Sequence, residues 1–314
     1  MKSTKNKVTF QYEYFLKVAA LGKFPIVEIN ENDYTDIANA RKTLTAALNI
    51  EESYDLVLGN FLDLEKELLM LTVEKIVDHR FDYHRAYDLN SSLNRRIVNF
   101  ILSGKNYTEL ISSKASKCAK DETEIESVVK KLTNKHYDES LDYRLMEALR
   151  NHVSHSGVAV HLVDNPDRWT VGENKRAQHL VFNIGIYALK ARLAENSGFK
   201  KSVLNDLPEK IDLKKSARAY MGAISNIQDE ARKLVKTTIN AARETITGHL
   251  EKYAALNDGN SFAVGAYSST LHEAGAKPIM LLLEWDDVRI ELERKNQSIS
   301  NIEQRYVSSA ICPS

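Results

Sequence analysis

Six consecutive residues near the middle of the chain, Arg150-Asn151-His152-Val153-Ser154-His155, carry the side-chain types that phosphate chemistry on RNA requires. Arg150 holds a permanent positive charge on a planar fork of N–H donors, a match for phosphate oxygens. His155 can give or take a proton near neutral pH. Asn151 stands four residues before His155, so on a helix the two share a face. Arg150 lies about 140° around a regular helix from His155, so the two converge only at a shared cleft edge or where the last turn loosens. Glu147, three residues before Arg150 and four before Asn151, is spaced to orient either. His152 reads as an accessory at the same cleft. His161, in Val160-His161-Leu162, reads first as a buried, hydrogen-bonded histidine and second as a further accessory.

An RNA strand brings its own nucleophile, the 2′-hydroxyl. Cleavage by that route needs a base for the 2′-proton, an acid for the leaving 5′-oxygen and a cation beside the phosphate, and no metal. Base and acid act on opposite sides of the phosphorus. One helix end supplies one side more easily than both, whereas two copies facing each other supply both. The bland alternative is that Arg150 and His155 complement the dipole of a helix C-terminus or form surface ion pairs. A metal at His152, His155 and His161 is conceivable, but neither a Cys nor an acidic ligand lies beside them in sequence, so no metal or cofactor is expected.

Arg150, the polar Asn151 directly after it and His155 after four intervening residues resemble the defining motif of the HEPN superfamily, which is Arg, four to six residues, then His. The resemblance implies a helical bundle that dimerises so that two motifs build one composite ribonuclease site. It implies metal-independent cleavage, with Arg150, Asn151 and His155 catalytic; Glu147, His152 and His161 stand beside them as accessories read from their own spacing and residue type. It also implies a place among toxin or anti-phage effectors, with an antitoxin or sensor as partner, although some members of the superfamily are not nucleases. The match covers about residues 50–162 at the level of helix pattern. One departure matters: the Tyr that some HEPN toxins carry two residues after the His, a target for nucleotidyl modification, is Gly157 here.

The elements that must position these residues are helical. Leu141, Leu145, Met146, Leu149 and Val153 mark one apolar face of a helix over 138–154, with Asp138 as its cap and Gly157 as its stop. Helices are predicted over 32–48, 54–77, 82–111, 125–132, 212–256 and 288–307, with 112–123 as a loop. Phe10–Leu21 reads as a short helix and Phe24–Ile29 as a short strand. Gln178–Tyr187 and Pro278–Trp285 fit either a strand or a helix start, and Asn165-Pro166-Asp167 and Asn257-Asp258-Gly259-Asn260 are turn signals. The fold class is therefore mainly α with a few short strands: a HEPN-like domain over 1–163 and a mostly helical region over 164–314 that carries no recognisable motif.

Composition narrows the classes. Lys+Arg and Asp+Glu both count 43, so nucleic acid binding has to come from a local patch rather than from the whole molecule. The pairs Arg95-Arg96, Lys130-Lys131, Lys200-Lys201 and Lys214-Lys215 are candidates for such a patch, though a solvated face is the commoner use. Trp169 and Trp285 read as core residues, with base stacking as the alternative. Five prolines and 12 glycines leave room for long helices. Cys118 and Cys312 show no ligand spacing and read as free thiols of a reducing cytosol. The opening residues lack a signal-peptide stretch and no segment is apolar enough to span a bilayer, so a cytoplasmic protein is expected. Walker, GxGxxG, GxSxG and HExxH patterns are missing. A non-catalytic nucleotide- or RNA-binding module, or a helical scaffold, is the competing function.

Overall fold

The computed structural model describes residues 13–77, 82–119, 121–155, 157–171, 176–273, 276–305 and 307. Cys312, Ser156 and the start of the Phe10–Leu21 segment lie outside them. The protein is mainly α-helical. The described residues form α1 (Glu31–Glu74), α2 (Tyr83–Ser116), α3 (Glu122–Glu139), α4 (Leu141–His155), α5 (Lys190–Ala194), α6 (Lys201–Asp206), α7 (Leu213–Ala254), α8 (Ser269–Glu273) and α9 (Glu284–Lys295). Short antiparallel strands are β1 (Tyr14–Val18), β2 (Val27–Glu28), β3 (Leu162–Asp164), β4 (Arg168–Val171), β5 (Ala177–Val181), β6 (Gly185–Leu189), β7 (Lys210–Asp212), β8 (Val264–Ser268) and β9 (Ile279–Met280). No described helix is long and apolar enough to cross a membrane.

The chain divides into two compact units that interleave along the sequence. One comprises Met1–Glu52, Ser113–Glu126 and Arg232–Lys295, the other Ser53–Ser112, Ser127–Ala231 and Asn296–Ser314. Each thus gathers segments from both sides of residue 163. In the first unit the sheet order is β2-β1-β8-β9, with Tyr14–Val18 paired in register against Ser268–Val264. The expected helix over Phe10–Leu21 is instead a strand where described. Phe15, Leu16 and Val18 are buried and the apolar cluster is satisfied by pairing rather than by a helical face.

Two expected helices, 32–48 and 54–77, are one. The polar run Glu51-Glu52-Ser53 lies in the gap between them, yet Ile50 and Tyr54 keep the apolar register through it and both are buried. Glu51 turns inward, 2% exposed, and accepts from the Arg232 Nε at 2.9 Å. The expected loop over 112–123 is likewise helix as far as Ser116. Ser112 and Ser116 are buried, and the Ser116 hydroxyl is satisfied by the Ser113 carbonyl at 3.0 Å. α7 stops where the sequence says: Asp258 (φ 50°) and Gly259 (φ 80°) take left-handed backbone, and the Gly259 N–H reaches the Ala254 carbonyl at 2.9 Å. The last expected helix, 288–307, begins earlier, at Glu284, and ends at Lys295. Asn296 is buried there and donates to Asp55 Oδ1 at 2.7 Å.

The second unit holds the motif. Its sheet β3-β6-β7 pairs Leu162–Asp164 with Tyr187–Gly185, and β4 and β5 form a separate hairpin. Gln178–Tyr187 therefore falls in two strands, β5 and β6, separated by the irregular residues 182–184. Its core gathers Phe61, Leu64, Leu93, Ile97, Phe100, Leu145, Leu149, Ile186 and Ile224.

Candidate active site

Helix α4 begins at Leu141 and is capped by Ser140, not by Asp138. The Ser140 hydroxyl accepts from the Tyr143 N–H at 3.1 Å and its carbonyl from the Arg144 N–H at 3.0 Å. Asp138 belongs to the preceding helix, whose last residue is Glu139. From that start, Tyr143, Leu145, Met146, Ala148, Leu149 and His152 turn inward and are buried. The opposite edge of the last turn is left in water: Asn151, Ser154 and His155 are exposed and Arg150 is half-buried. His155 is the last helical residue. At the end of α4 the Gly157 N–H returns to the His152 carbonyl at 3.2 Å, satisfying one of the carbonyls that a helix end leaves open.

The Arg150 guanidinium does not point straight out. Its Nη1 donates to Asn151 Oδ1 at 2.9 Å. That bond carries the cation over the next position of the helix, and position 151 is only about 40° around from position 155. The wide offset that backbone geometry gives Arg150 and His155 is thus narrowed by the side chain. Asn151 is exposed and holds the guanidinium through its Oδ1. No hydrogen bond or ion pair ties down the His155 ring among the described residues.

His152 faces the other way. Its Nε2 lies 3.2 Å from the Val158 carbonyl and its Nδ1 3.1 Å from the Asn196 amide nitrogen. A carbonyl only accepts and an amide nitrogen only donates, so the ring sits as the neutral Nε2–H tautomer with both nitrogens occupied. Burial holds its pKa below the usual histidine value, the Val158 carbonyl opposing this only in part. His161 packs edge-on to it, centroids 5.9 Å apart, and its Nδ1 accepts from the Leu189 N–H at 3.1 Å. Burial, then the neighbouring His152, lowers its pKa as well. Both histidines brace the segment after α4 against β6 and the turn that carries Asn196.

Glu147 is also spoken for. Its side chain is 10% exposed, pairs with Lys105, and accepts from the Thr108 hydroxyl at 3.0 Å and the Tyr220 hydroxyl at 2.6 Å. Burial pulls the Lys105 pKa down, but hydrogen bonding and the charge of Glu147 outweigh it and leave the ammonium raised. Burial and the same carboxylate push Tyr220 well above the usual tyrosine range. Glu147 therefore joins α2, α4 and α7 rather than reaching Arg150. Of the six residues singled out by spacing, Arg150, Asn151 and His155 share the exposed edge, His152 and His161 meet beneath it, and Glu147 lies in a separate buried cluster.

Two residues that build the site carry no motif. Asn94 is buried on α2, where its Oδ1 accepts from the Ala159 and Val160 N–H groups at 3.0 and 2.9 Å and so shapes the chain leaving the helix. Its signal is a lone amide beside Leu93 and Ile97 in an apolar stripe. Asn196 orients His152 and gives no such signal. Among the described residues, no three His, Cys, Asp or Glu side chains come together as a metal site. Two surface grooves of about 400 and 460 Å³ are lined by Asn240–Glu251 positions and by Leu250, 258–263 and 281–284, and neither includes the motif.

At least one member is engaged in three of the basic pairs: Arg96 with Glu67 and Asp63 at 3.2 and 3.6 Å, Lys200 with Tyr137, and Lys214 with the Ile184 carbonyl at 2.6 Å. Trp285 is half-buried under the Arg41 guanidinium, 3.8 Å from its ring centre. Trp169, expected in the core, is 59% exposed on β4. The hairpin that bears it is too thin to cover its own large side chains. Cys118 is buried, its thiol pushed up to about 12 by burial. No protein-family model matches the chain, and no curated protein matches it.

Proposed function

We propose that the protein is a metal-independent endoribonuclease of the HEPN type. The observation that supports it is the exposed edge of the last turn of α4, where the Arg150 guanidinium leans onto Asn151 toward the face of an untethered His155. In this reading Arg150 holds a phosphate oxygen and stabilises the charge that builds on it. His155 removes the proton from the 2′-hydroxyl, whose oxygen attacks the adjacent phosphorus. The bond to the 5′-oxygen breaks, and that oxygen takes up a proton. The products are a 2′,3′-cyclic phosphate and a 5′-hydroxyl.

Each copy offers one such edge, while His152 has both ring nitrogens committed. The proton for the leaving group then comes from His155 of a second copy, which makes the active species a dimer through the α4 ends. A toxin or anti-phage effector acting on cytoplasmic RNA, restrained by an antitoxin or sensor, fits this chemistry.

The test is RNA cleavage in EDTA. Full activity, cyclic-phosphate ends and an inert DNA strand of the same sequence are the expected results. Ends bearing a 5′-phosphate, or activity lost with the chelator, contradict the reading. Light scattering of the active species is expected to give at least a dimer, and a fully active monomer at micromolar concentration contradicts the composite site.

A further inference from the structure

Between β3 and β6 the chain leaves its sheet. β4 and β5 pair with each other, Arg168 with Val181 and Trp169 with Leu180, and with no other described strand. A two-stranded ribbon is marginal by itself in water, and here its stem is clamped. The Lys75 ammonium donates to Asn165 Oδ1 at 3.1 Å and pairs with Asp167 Oδ1 at 2.6 Å on one side, and donates to the Asn183 carbonyl at 3.1 Å on the other. The Asn183 N–H closes the stem onto Asp167 at 3.0 Å. Lys214 adds bonds to Asn183 Oδ1 at 3.2 Å and to the Ile184 carbonyl. The base is fixed and the blade stands in solvent.

The blade is both basic and aromatic. Trp169 is 59% exposed, and Arg168, Arg176 and His179 are exposed around it. Among the described residues of the blade, 168–171 and 176–181, there is no Asp or Glu. Trp169 and Val171 both stand exposed on β4, at 59% and 65%, and an exposed apolar pair rimmed by cations is the kind of surface that a partner covers. A two-fold contact between hairpins of two copies would set Arg168, Arg176 and His179 against their own kind. A strand of phosphates with unpaired bases meets the charge and the ring together.

We propose that the β4–β5 hairpin binds single-stranded RNA, with Trp169 stacked on an unpaired base and Arg168 and Arg176 on the flanking phosphates. This rests on the ribonuclease reading and names its substrate as unpaired RNA. The hairpin stem begins at Asn165, ten residues after His155, within about 35 Å along even a fully extended chain. A strand held on the blade can therefore run to the α4 end.

The test uses full-length His155→Ala protein and fluorescence anisotropy of a labelled, unstructured RNA 12-mer. Trp169→Leu in that background is expected to weaken binding on the order of tenfold, and Trp169→Phe to retain most of it. Arg168→Ala is expected to lower the slope of log affinity against log salt by about one. A duplex of the same sequence should bind more weakly than the single strand. Equal affinity for Trp169→Leu and its parent, no RNA binding at all, or a change of oligomeric state with RNA binding intact each overturns the proposal. Trp169-dependent binding by a wild-type protein that never cleaves would sink the ribonuclease reading alone. Cleavage that depends on His155 with binding indifferent to Trp169 would sink the hairpin alone.

Discussion

The two faces of the last turn of α4 are built from the same few residues and do opposite things. His152 is buried, with both ring nitrogens bonded and its pKa held down. His155, three residues on, is exposed and bonded to nothing described. Glu147 and Arg150 repeat the contrast one turn earlier: the carboxylate is shared among Lys105, Thr108 and Tyr220, while the guanidinium, among the described residues, bonds its neighbour Asn151 alone. A polar side chain whose valences the fold has filled is a strut. One the fold leaves open, beside an orienting amide and a cation, is available to a substrate. Substitutions on the two faces should therefore separate cleanly into losses of rate and losses of stability.

Apart from His155 itself, the largest effect belongs to Arg150. Removing it as Arg150→Ala takes away the charge that meets the phosphate, and cleavage should fall about 10²–10³-fold with the urea midpoint unchanged. Arg150→Lys should recover only part of this, because an ammonium lacks the fork geometry. A variant that cleaves normally, or one that loses activity only because it unfolds, erases the distinction between the faces.

Next comes Glu147. Glu147→Ala leaves the Tyr220 hydroxyl without its acceptor and Lys105 without its pair, and should cost about 2–3 kcal/mol in chemical denaturation, a figure kept low because Lys105 is partly exposed. The specific activity of the folded fraction should stay near wild type. If stability is unmoved and rate collapses, Glu147 belongs to the chemistry after all.

His152→Asn should cost about 1–2 kcal/mol and leave the cleavage rate of folded protein within a few-fold of wild type. The buried pair also predicts a pH signature. His152 and His161 bind protons less readily folded than unfolded, where the ordinary value is about 6.5. As pH falls below that value the unfolded chain takes up protons first, so their contribution is complete above it and is lost progressively below it. Urea midpoints should decline from pH 7 to 5, and less steeply in a His152→Asn, His161→Asn double variant. Equal slopes would remove these two histidines from the account. The smallest effect is Asn151→Ala, a loss of several-fold in rate if the amide only steers Arg150.

Much of this was readable in the chain and some was not. Long helices follow from apolar spacing with few glycines or prolines, which is why α2, α4 and α7 fall near where periodicity puts them. Their ends and joins escape because a polar run such as Glu51-Glu52-Ser53 carries no apolar spacing of its own, and Arg232, which pairs with Glu51, lies far along the chain. β1 pairs with β8, some 250 residues away, so nothing local distinguishes it from a short helix. Within the site, Arg150, Asn151 and His155 announce themselves by spacing, and exposure adds to that. The employment of Glu147 and His152 does not show, because their partners Lys105, Tyr220 and Asn196 come from distant elements. Trp169 reads as core by residue type, and only its place on a two-stranded hairpin puts it in solvent.

The most direct measurement compares wild-type protein with His155→Ala on one RNA in EDTA, reading cyclic-phosphate ends by gel and the fold by circular dichroism. The account predicts superimposable spectra and a rate lower by about 10²–10⁴-fold, the usual cost of losing a proton-transfer group. A folded His155→Ala protein that cleaves RNA at the wild-type rate would contradict it.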